Sequence, residues 1–208
     1  MAQKTAPTPK LATTSSPIHE LLARRWSGRA FDASIPVSHE QIVAMMEAAR
    51  WAPSCFGDQP WRFIVWDKNS DAAAWQRAFD CLGEWNQKWV KNAPVLVLVT
   101  ANTLFQRNGK PNAWGQYDSG AAAENLCLQA VASGLMAHQM GGFEADKIRL
   151  EFAIPDPFVC MAMIAVGYQA DPSVLDDEYK ELELAPRHRS PLGEHFFAGA
   201  WGKPLGSL

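Results

Sequence analysis

The sequence predicts one globular domain in which a β-sheet lies between helices. Three short, nearly continuous apolar runs, at residues 61–66, 95–101 and 158–167, are rich in β-branched and aromatic side chains. Such runs are typical of strands that are covered on both faces. A long segment rich in Ala, Gly and Ser lies between the second and third runs, and it predicts a central helix with close neighbours. At 208 residues, a single domain is the default expectation.

Two helices are predicted before the first strand. Pro17 suits a first helical turn, and the apolar spacing after it predicts a short helix that ends near Arg25. Ser38 and Gln41 have the spacing of a capping box, and the apolar stripe that follows them stops before Pro53. The second of these helices therefore has the clearest start in the chain.

The second half of the chain contains two more predicted helices and an irregular tail. Asp118 or Ser119 can cap a long helix that continues through Leu135. A further helix is expected over about residues 145–152, before the third strand. No sustained periodicity follows Ala170, so the tail is expected to need another surface on which to pack.

The domain is expected to span residues 17–208. Residues 1–16 are rich in Pro, Thr, Ser and Ala, and they contain no apolar run of the length that a secretory signal requires. We therefore expect a disordered N-terminal lead. No internal repeat and no later change of composition marks a second domain.

Composition and charge exclude several classes of protein. The net charge of −3 and the pI near 5.9 provide no long-range attraction for nucleic acid. The longest apolar run, residues 158–166, is too short for a membrane-spanning helix. No histidine has metal-ligand spacing, and Cys55, Cys81, Cys127 and Cys160 lie far apart without a C-x-x-C pair. We expect no nucleic-acid, membrane or metal partner, and free thiols in the cytoplasm.

Two segments offer arginines in a pattern suited to phosphate. A guanidinium donates two parallel hydrogen bonds to a phosphate, and a serine hydroxyl adds another donor. Taken alone, the first segment is better explained as a solvated basic helix end, and the second as a surface loop. The first segment contains Arg25, Trp26, Ser27 and Arg29, and the second contains Arg187 and Arg189.

Two other segments have the composition of ligand-binding loops. Residues 52–61 form a turn-rich loop whose amides and polar side chains can read the edge of a planar heterocycle. The paired glycines near residue 141 allow a backbone to approach a ligand closely, although a helix-to-helix turn would use them too. The candidate residues are Pro53, Ser54, Cys55 and Gln59 in the first loop, and Met140, Gly141 and Gly142 in the second.

These four segments, in this order, resemble the nitroreductase family of FMN enzymes. The resemblance runs from about Pro17 to Pro204. It includes an R-x-S-x-R-x-F element at residues 25–31, a P-S-x-x-N-x-Q-P-W loop at residues 53–61, a G-G-F element at residues 141–143 and a closing R-x-R-x-P-L element at residues 187–192. One departure is clear, because the Asn of the P-S loop is Gly57 here.

The resemblance implies a fold and an arrangement of the cofactor. The fold is α+β and three-layered, with a mostly antiparallel central sheet and a C-terminal extension exchanged across a homodimer that holds the flavin at its interface. Both arginine segments would hold the ribityl phosphate. Reduction leaves negative charge near N1 and C2=O of the ring, and Arg29 is the cation that we expect to stabilise it. The P-S loop would border the ring, and the backbone at Gly141 would direct an N–H towards the flavin N5.

The resemblance also implies an activity. The protein would take hydride from NADH or NADPH and reduce small organic acceptors such as nitroaromatics or quinones. No G-x-G-x-x-G follows a strand, so donor and acceptor would take turns at one flavin face in ping-pong kinetics. Two alternatives remain: an oxygen-using flavin dehydrogenase or desaturase on the same scaffold, and a flavin-binding protein without turnover, for which the Gly57 departure is the hint.

Overall fold

An open antiparallel sheet of four strands forms the centre of the computed structural model, which describes residues 10–205. The strands are β1 (Trp61–Asp67), β2 (Val95–Asn102), β3 (Met136–Met140) and β4 (Phe158–Gly167), arranged in the order β1-β2-β4-β3. The three apolar runs form β1, β2 and β4, so the predicted strands are confirmed. The α+β class with an antiparallel sheet is confirmed as well.

Helices cover both faces of the sheet. They are α1 (Glu20–Arg24), α2 (His39–Arg50), α3 (Ala72–Phe79), α4 (Glu84–Val90), α5 (Gly115–Ala132), α6 (Ala145–Glu151), α7 (Asp177–Leu184) and α8 (Leu192–His195). Along β2, Leu96 and Leu98 face a core that contains residues of α3, α4 and α6. Val97 and its β2 neighbours two residues away face a second core that contains residues of α2 and α5. Alternate side chains of one strand thus enter two cores, which explains why β2 is apolar throughout.

Helix α5 begins earlier than the sequence predicts. A Cβ at Gly115 would lie 2.3 Å from the Asn102 carbonyl oxygen, so only glycine allows the helix to start this close to the end of β2. Asp118 is therefore not a cap. Its buried carboxylate accepts a hydrogen bond from the Cys55 amide at 2.9 Å, and the Ser119 hydroxyl donates to the Gly115 carbonyl at 2.8 Å. The capping box at the start of α2 is confirmed.

Strand β3 and helix α7, which position residues of the candidate site, were not predicted. No strand was predicted at β3, since its five residues include no β-branched side chain and the strand forms by pairing with β4. Helix α7 lies in the tail that was expected to be irregular. It buries only Tyr179 and Glu183, and one buried carboxylate in an acidic segment does not produce an apolar stripe.

The predicted N-terminal lead is only partly covered by the structure. Residues 1–9 lie outside the described residues. Residues 10–16 are described, and two of them contact the rest of the chain: the Ala12 amide donates to the Ala23 carbonyl at 2.9 Å and the Lys10 ammonium donates to the Glu183 carbonyl at 2.5 Å. Lys10 and Ala12 thus lie against the tail and the first helix.

Three further features bear on the kind of protein this is. Within residues 10–205, no helix combines the length and apolarity needed to cross a membrane. The same residues contain no group of three or more His, Cys, Asp or Glu side chains placed to hold a metal ion. Cys55, Cys81, Cys127 and Cys160 are all free thiols.

Candidate functional site

Both arginine segments meet in one cleft of the same chain. The cleft has a volume of about 210 Å³ and lies between α1, the segment that follows it and the end of α7. It is strongly cationic, with four arginines and one lysine. The lining residues are Lys10, Arg25, Trp26, Ser27, Arg29, Leu182, Ala185, Pro186, Arg187 and Arg189.

Arg187 holds this cleft together. Its guanidinium donates to three backbone carbonyls, those of Lys10 at 2.9 Å, Ala23 at 2.7 Å and Arg25 at 2.9 Å. Burial, followed by the charges of Arg25 and Arg189, lowers the pKa of Arg187. Like charges this close repel one another, so the cleft favours an anion that would relieve the repulsion.

The carboxylate of Glu183 fixes the first arginine segment. Glu183 is buried in α7 and accepts from the Arg29 amide at 2.8 Å and the Ala30 amide at 3.2 Å. A Cβ at Gly28 would lie 2.2 Å from the Met136 Sδ, so the backbone there passes against β3 where only glycine fits. Burial raises the pKa of Glu183, and the two amides oppose that shift. Sequence reasoning missed Glu183, since nothing in the sequence separates it from the other acidic residues of α7.

The side chain of Arg29 has unused hydrogen-bonding capacity. Its Nε is buried and has no partner among the described residues. Its guanidinium carbon lies 5.9 Å from the centre of the Trp89 ring, and Trp89 stacks on His138 with ring centres 4.5 Å apart. A buried donor without an acceptor costs free energy, and a bound anion or heterocycle would satisfy it.

His138 is a structural residue of β3. Its Nδ1 donates to the Gly28 carbonyl at 2.9 Å, and burial lowers the pKa of His138 to about 4. The imidazole is therefore neutral above that pH in the folded protein. It links β3 to the arginine segment by a neutral hydrogen bond and a ring stack.

We expect the pKa of His138 to appear in the stability of the protein. The unfolded chain binds a proton at this residue below about pH 6.5, and the folded chain does so only near pH 4. The stabilising contribution is present above pH 6.5 and is lost as the pH falls towards 4. Between pH 7 and 5, the wild type should lose about 2 kcal/mol more unfolding free energy than His138→Gln. Urea unfolding at several pH values measures the difference, and parallel profiles would contradict it.

The paired glycines lie at the end of β3. Gly141 is exposed, a Cβ there would meet no atom within 4 Å, and its amide donates to none of the described residues. The next carbonyl, that of Gly142, accepts from the Gly83 amide at 3.0 Å and the Asn86 side chain at 2.9 Å, both at the start of α4. The peptide between Gly142 and Phe143 is thus held by the start of α4, while the Gly141 amide, one peptide earlier, stays free for a ligand. Met140 is buried beside it.

The P-S loop lies elsewhere on the same chain. Its backbone is braced by the Gln59 amide, which donates to the Ser54 hydroxyl at 3.0 Å, and by the Cys55 amide, which donates to Asp118. The loop borders a cavity of about 550 Å³ that shares no lining residue with the arginine cleft. Pro53, the first residue of this loop, is exposed.

Helix α5 separates the two groups of candidate residues. Asp118 holds the P-S loop, and Glu124 pairs with Arg25 at 3.4 Å. Six residues of α-helix place these two side chains about 9 Å apart along the axis and about 120° apart around it. One chain therefore brings Arg25, Trp26, Ser27, Arg29, Arg187 and Arg189 together, and it does not bring Pro53, Ser54, Cys55 or Gln59 to them.

The chain is similar to known proteins over most of its length. Residues 22–168 match the model described as the nitroreductase family. A solved structure described as an oxidoreductase containing FMN is 38% identical, with a TM-score of 0.86, and the match covers 92% of this chain and 96% of that one.

Two curated relatives show the same likeness at lower identity. The NADH dehydrogenase of Thermus thermophilus is 26% identical over 189 residues, which cover 76% of this chain and 84% of that protein. The major NAD(P)H-flavin oxidoreductase of Aliivibrio fischeri is 27% identical over 92 residues, which cover 44% of this chain and 42% of that protein. With a family match that spans well over half of its length, the chain belongs to the nitroreductase family.

Proposed function

We propose that the protein is an FMN-dependent oxidoreductase that takes hydride from NADH or NADPH and reduces small organic acceptors such as nitroaromatics or quinones. The observation that carries the proposal is the cationic cleft, in which two distant arginine segments surround a buried, unpartnered Arg29 Nε. The similarity to an oxidoreductase containing FMN supports the same assignment.

The described residues fit FMN. Arg25, Arg187 and Arg189 supply the positive charge that a ribityl phosphate requires, and Ser27 adds a hydroxyl. Strand β3 leads away from this cleft, because His138 is bonded to Gly28 and Gly141 follows three residues later, about 10 Å along the strand. A ribityl chain, together with its phosphate ester at one end and part of the flavin ring at the other, reaches that far. The free amide of Gly141 is then available to the far end of the cofactor.

The side chains of the protein have few roles in the proposed reaction itself. When bound, FMN supplies the hydride and electron transfer, while the protein supplies binding and electrostatics. Arg29 places a positive charge between the cleft and β3, where it stabilises negative charge that develops on reduction. Gly141 offers an N–H donor with an unobstructed approach. The neutral His138 fixes β3 against the segment that contains Arg29, and it does not exchange a proton near pH 7.

We propose a homodimer as the active form, with the flavin at its interface. In one chain the P-S loop borders a cavity that shares no lining residue with the arginine cleft, and in the proposed dimer the loop of one copy would border the flavin of the other. Large apolar side chains are exposed near these elements, including Trp51 at 73%, Tyr117 at 76% and Trp201 at 94%. Exposed apolar surface of this kind is typical of an interface.

The structure limits what an exchanged tail can contribute. If the exchanged tail included Arg187 and Arg189, it would bring the second arginine pair to a flavin held mostly by the other chain. Instead, Arg187 binds Ala23 and Arg25 of its own chain, because α7 packs Glu183 against the first arginine segment. We therefore propose that exchange between subunits involves residues 191–205. The free cysteines support a reducing, cytoplasmic location for this dimer.

The absorption spectrum of the purified protein tests the proposed function. We expect flavin bands, bleaching by NADH or NADPH without oxygen, and recovery of colour when a quinone or nitroaromatic is added. Chromatography of the flavin released by denaturation should give FMN, because the cleft offers no second site for an adenosine half. A colourless protein that binds no added FMN would refute the proposal, and a flavin that no nicotinamide donor bleaches would indicate one of the alternatives.

Replacing Gly57 with asparagine should strengthen FMN binding. Gly57 has a φ of 68°, which asparagine tolerates, and a Cβ there would meet no atom within 4 Å. The variant adds the side-chain amide that the motif otherwise carries, so we expect FMN to bind about three- to tenfold more tightly. Gly57→Ala is the control that lacks the amide, and because alanine tolerates this φ less well than asparagine, the unfolding free energies of both variants are compared alongside their affinities. Equal affinities for asparagine and alanine, measured by flavin fluorescence, would disprove the role of the amide.

A further inference from the structure

We propose that the cavity beside the P-S loop binds an anionic group of the molecules that exchange electrons with the flavin, and that Arg107 is the residue that binds it. The anion is a carboxylate or sulfonate of an aromatic acceptor, or a phosphate of the nicotinamide donor. The inference rests on the proposed function and narrows its substrate class. We call the site the Arg107 cavity; it has a volume of about 550 Å³ and is lined by Phe56, Gln59, Arg62, Gln106 and Arg107, among others.

One of its two arginines forms the frame of the cavity. Arg62 donates to the carbonyls of Gln59 at 3.1 Å and Trp61 at 2.7 Å, and to the Gln106 side chain at 3.1 Å. None of these acceptors is a carboxylate. The guanidinium therefore holds the loop in place while its positive charge remains available to the cavity.

Arg107 is the second arginine, and its donors are free. Its guanidinium carbon lies 3.8 Å from the centre of the Phe56 ring, and Phe56 packs edge-on against Phe105 with ring centres 6.1 Å apart. It forms no hydrogen bond or ion pair with any residue in the described range 10–205. A guanidinium placed on an aromatic ring with its edge free can bind an oxyanion in a bidentate manner.

The one carboxylate of the cavity does not neutralise Arg107. Asp58 is buried, and both of its oxygens accept from the Gln106 amide, at 3.1 and 3.3 Å. Asp58 thus serves to close the loop and does not turn towards a ligand. Two guanidinium groups and one engaged carboxylate leave a net positive cavity on a protein whose overall charge is −3.

The backbone of the loop is held in an uncommon conformation. Phe56 has a φ of 56° and Gln59 a φ of 48°, and these are two of the three non-glycine residues with positive φ in the described part of the chain. Such conformations persist where surrounding contacts enforce them, and they concentrate at ligand sites. Here they present the Phe56 ring as the support on which Arg107 rests.

Calorimetry with a matched pair of probes tests the site without requiring turnover. Naphthalene-2-sulfonate carries the anion, and naphthalene-2-sulfonamide has nearly the same shape without the charge. The wild type should bind the sulfonate at least tenfold more tightly than the sulfonamide. Arg107→Met should weaken the sulfonate about tenfold, since the site is partly open to solvent, and should leave the sulfonamide within twofold. Lys110→Met, which removes a charge from the same loop outside the cavity lining, should change neither.

Kinetics on the flavin-loaded protein distinguish the two sources of the anion. If the anion belongs to the acceptor, Arg107→Met raises the KM for 1,4-naphthoquinone-2-sulfonate about tenfold, with kcat and the KM for a neutral naphthoquinone unchanged. If it belongs to the donor, the same variant raises the donor concentration needed to bleach the flavin. Sulfonate binding that is unaffected by Arg107→Met overturns the proposal. Absence of a bound flavin would refute the proposed function alone, because the calorimetric comparison does not depend on it.

Discussion

Replacement of Arg187 by alanine is expected to release FMN and to destabilise the protein by about 3 kcal/mol. The guanidinium donates to three carbonyls that belong to the N-terminal lead, to α1 and to the first arginine segment. Hydrogen bonds from a charged group contribute about 1.5 to 3 kcal/mol each, and three that share one guanidinium are less than additive. FMN affinity should fall by a hundredfold or more, because the variant loses a phosphate ligand and loosens Arg25 as well.

Two further variants make this expectation specific. Arg77→Ala removes an exposed arginine that pairs with Glu151 at 3.3 Å, and surface pairs of this kind contribute about 1 kcal/mol or less. Arg187→Lys keeps the charge without the planar fork, so it should lie between the wild type and alanine in both affinity and stability. Flavin titration and urea unfolding measure these effects. Stoichiometric FMN and unchanged stability in Arg187→Ala would show that the cleft is not the phosphate site.

Two truncations should separate the role of the cleft from that of the dimer. A chain that ends at Val174 lacks both Glu183 and Arg187, so it leaves the amides of Arg29 and Ala30 without their acceptor. It should bind no FMN and should unfold readily. A chain that ends at Ser190 retains these contacts and loses the apolar tail, whose Trp201 is 94% exposed. It should keep a folded cleft, become largely monomeric and bind FMN at least tenfold more weakly.

Light scattering and flavin titration of both truncated chains provide the measurement. If FMN binds at the interface of the proposed dimer, the chain that ends at Ser190 should bind FMN more weakly by mass action, because cofactor binding and dimerisation are then linked. Leu150→Ser is the matched surface control, since Leu150 is an exposed apolar residue on α6 outside the tail. It should remain dimeric with full FMN. A stable dimer of the chain that ends at Ser190 would show that the tail does not hold the subunits together.

Much of the fold could be predicted because its signals are local. The capping box at Ser38 and Gln41 is a hydrogen-bond pattern within one helical turn, and it is found as predicted. The apolar runs of β1, β2 and β4 reflect burial of both faces of the strands. Because helices cover both faces of the sheet, nearly every residue of such a strand is apolar, and the run can be recognised from the sequence of that strand alone. The motifs also identified the family, which the comparison confirms.

Other features depend on partners that are distant in sequence. Strand β3 has a weak strand pattern and exists because β4 pairs with it. The start of α5 is set by the close approach of Gly115 to Asn102, and it precedes the cap that was predicted at Asp118 or Ser119. Such contacts form only when the chain is folded, so no local sequence pattern predicts them.

The residue types of the site were determined by the sequence itself: arginines and a serine at residues 25–29, arginines at 187 and 189, and glycines at 141 and 142. What only the tertiary structure decided is their arrangement. Glu183 joins the tail to the first segment across 154 positions, so the arginine pair completes a cleft of its own chain. The P-S loop contacts Asp118 of α5 and borders a separate cavity that shares no lining residue with that cleft. Composition and spacing determine which chemistry is available, whereas packing between distant segments determines which groups share one site.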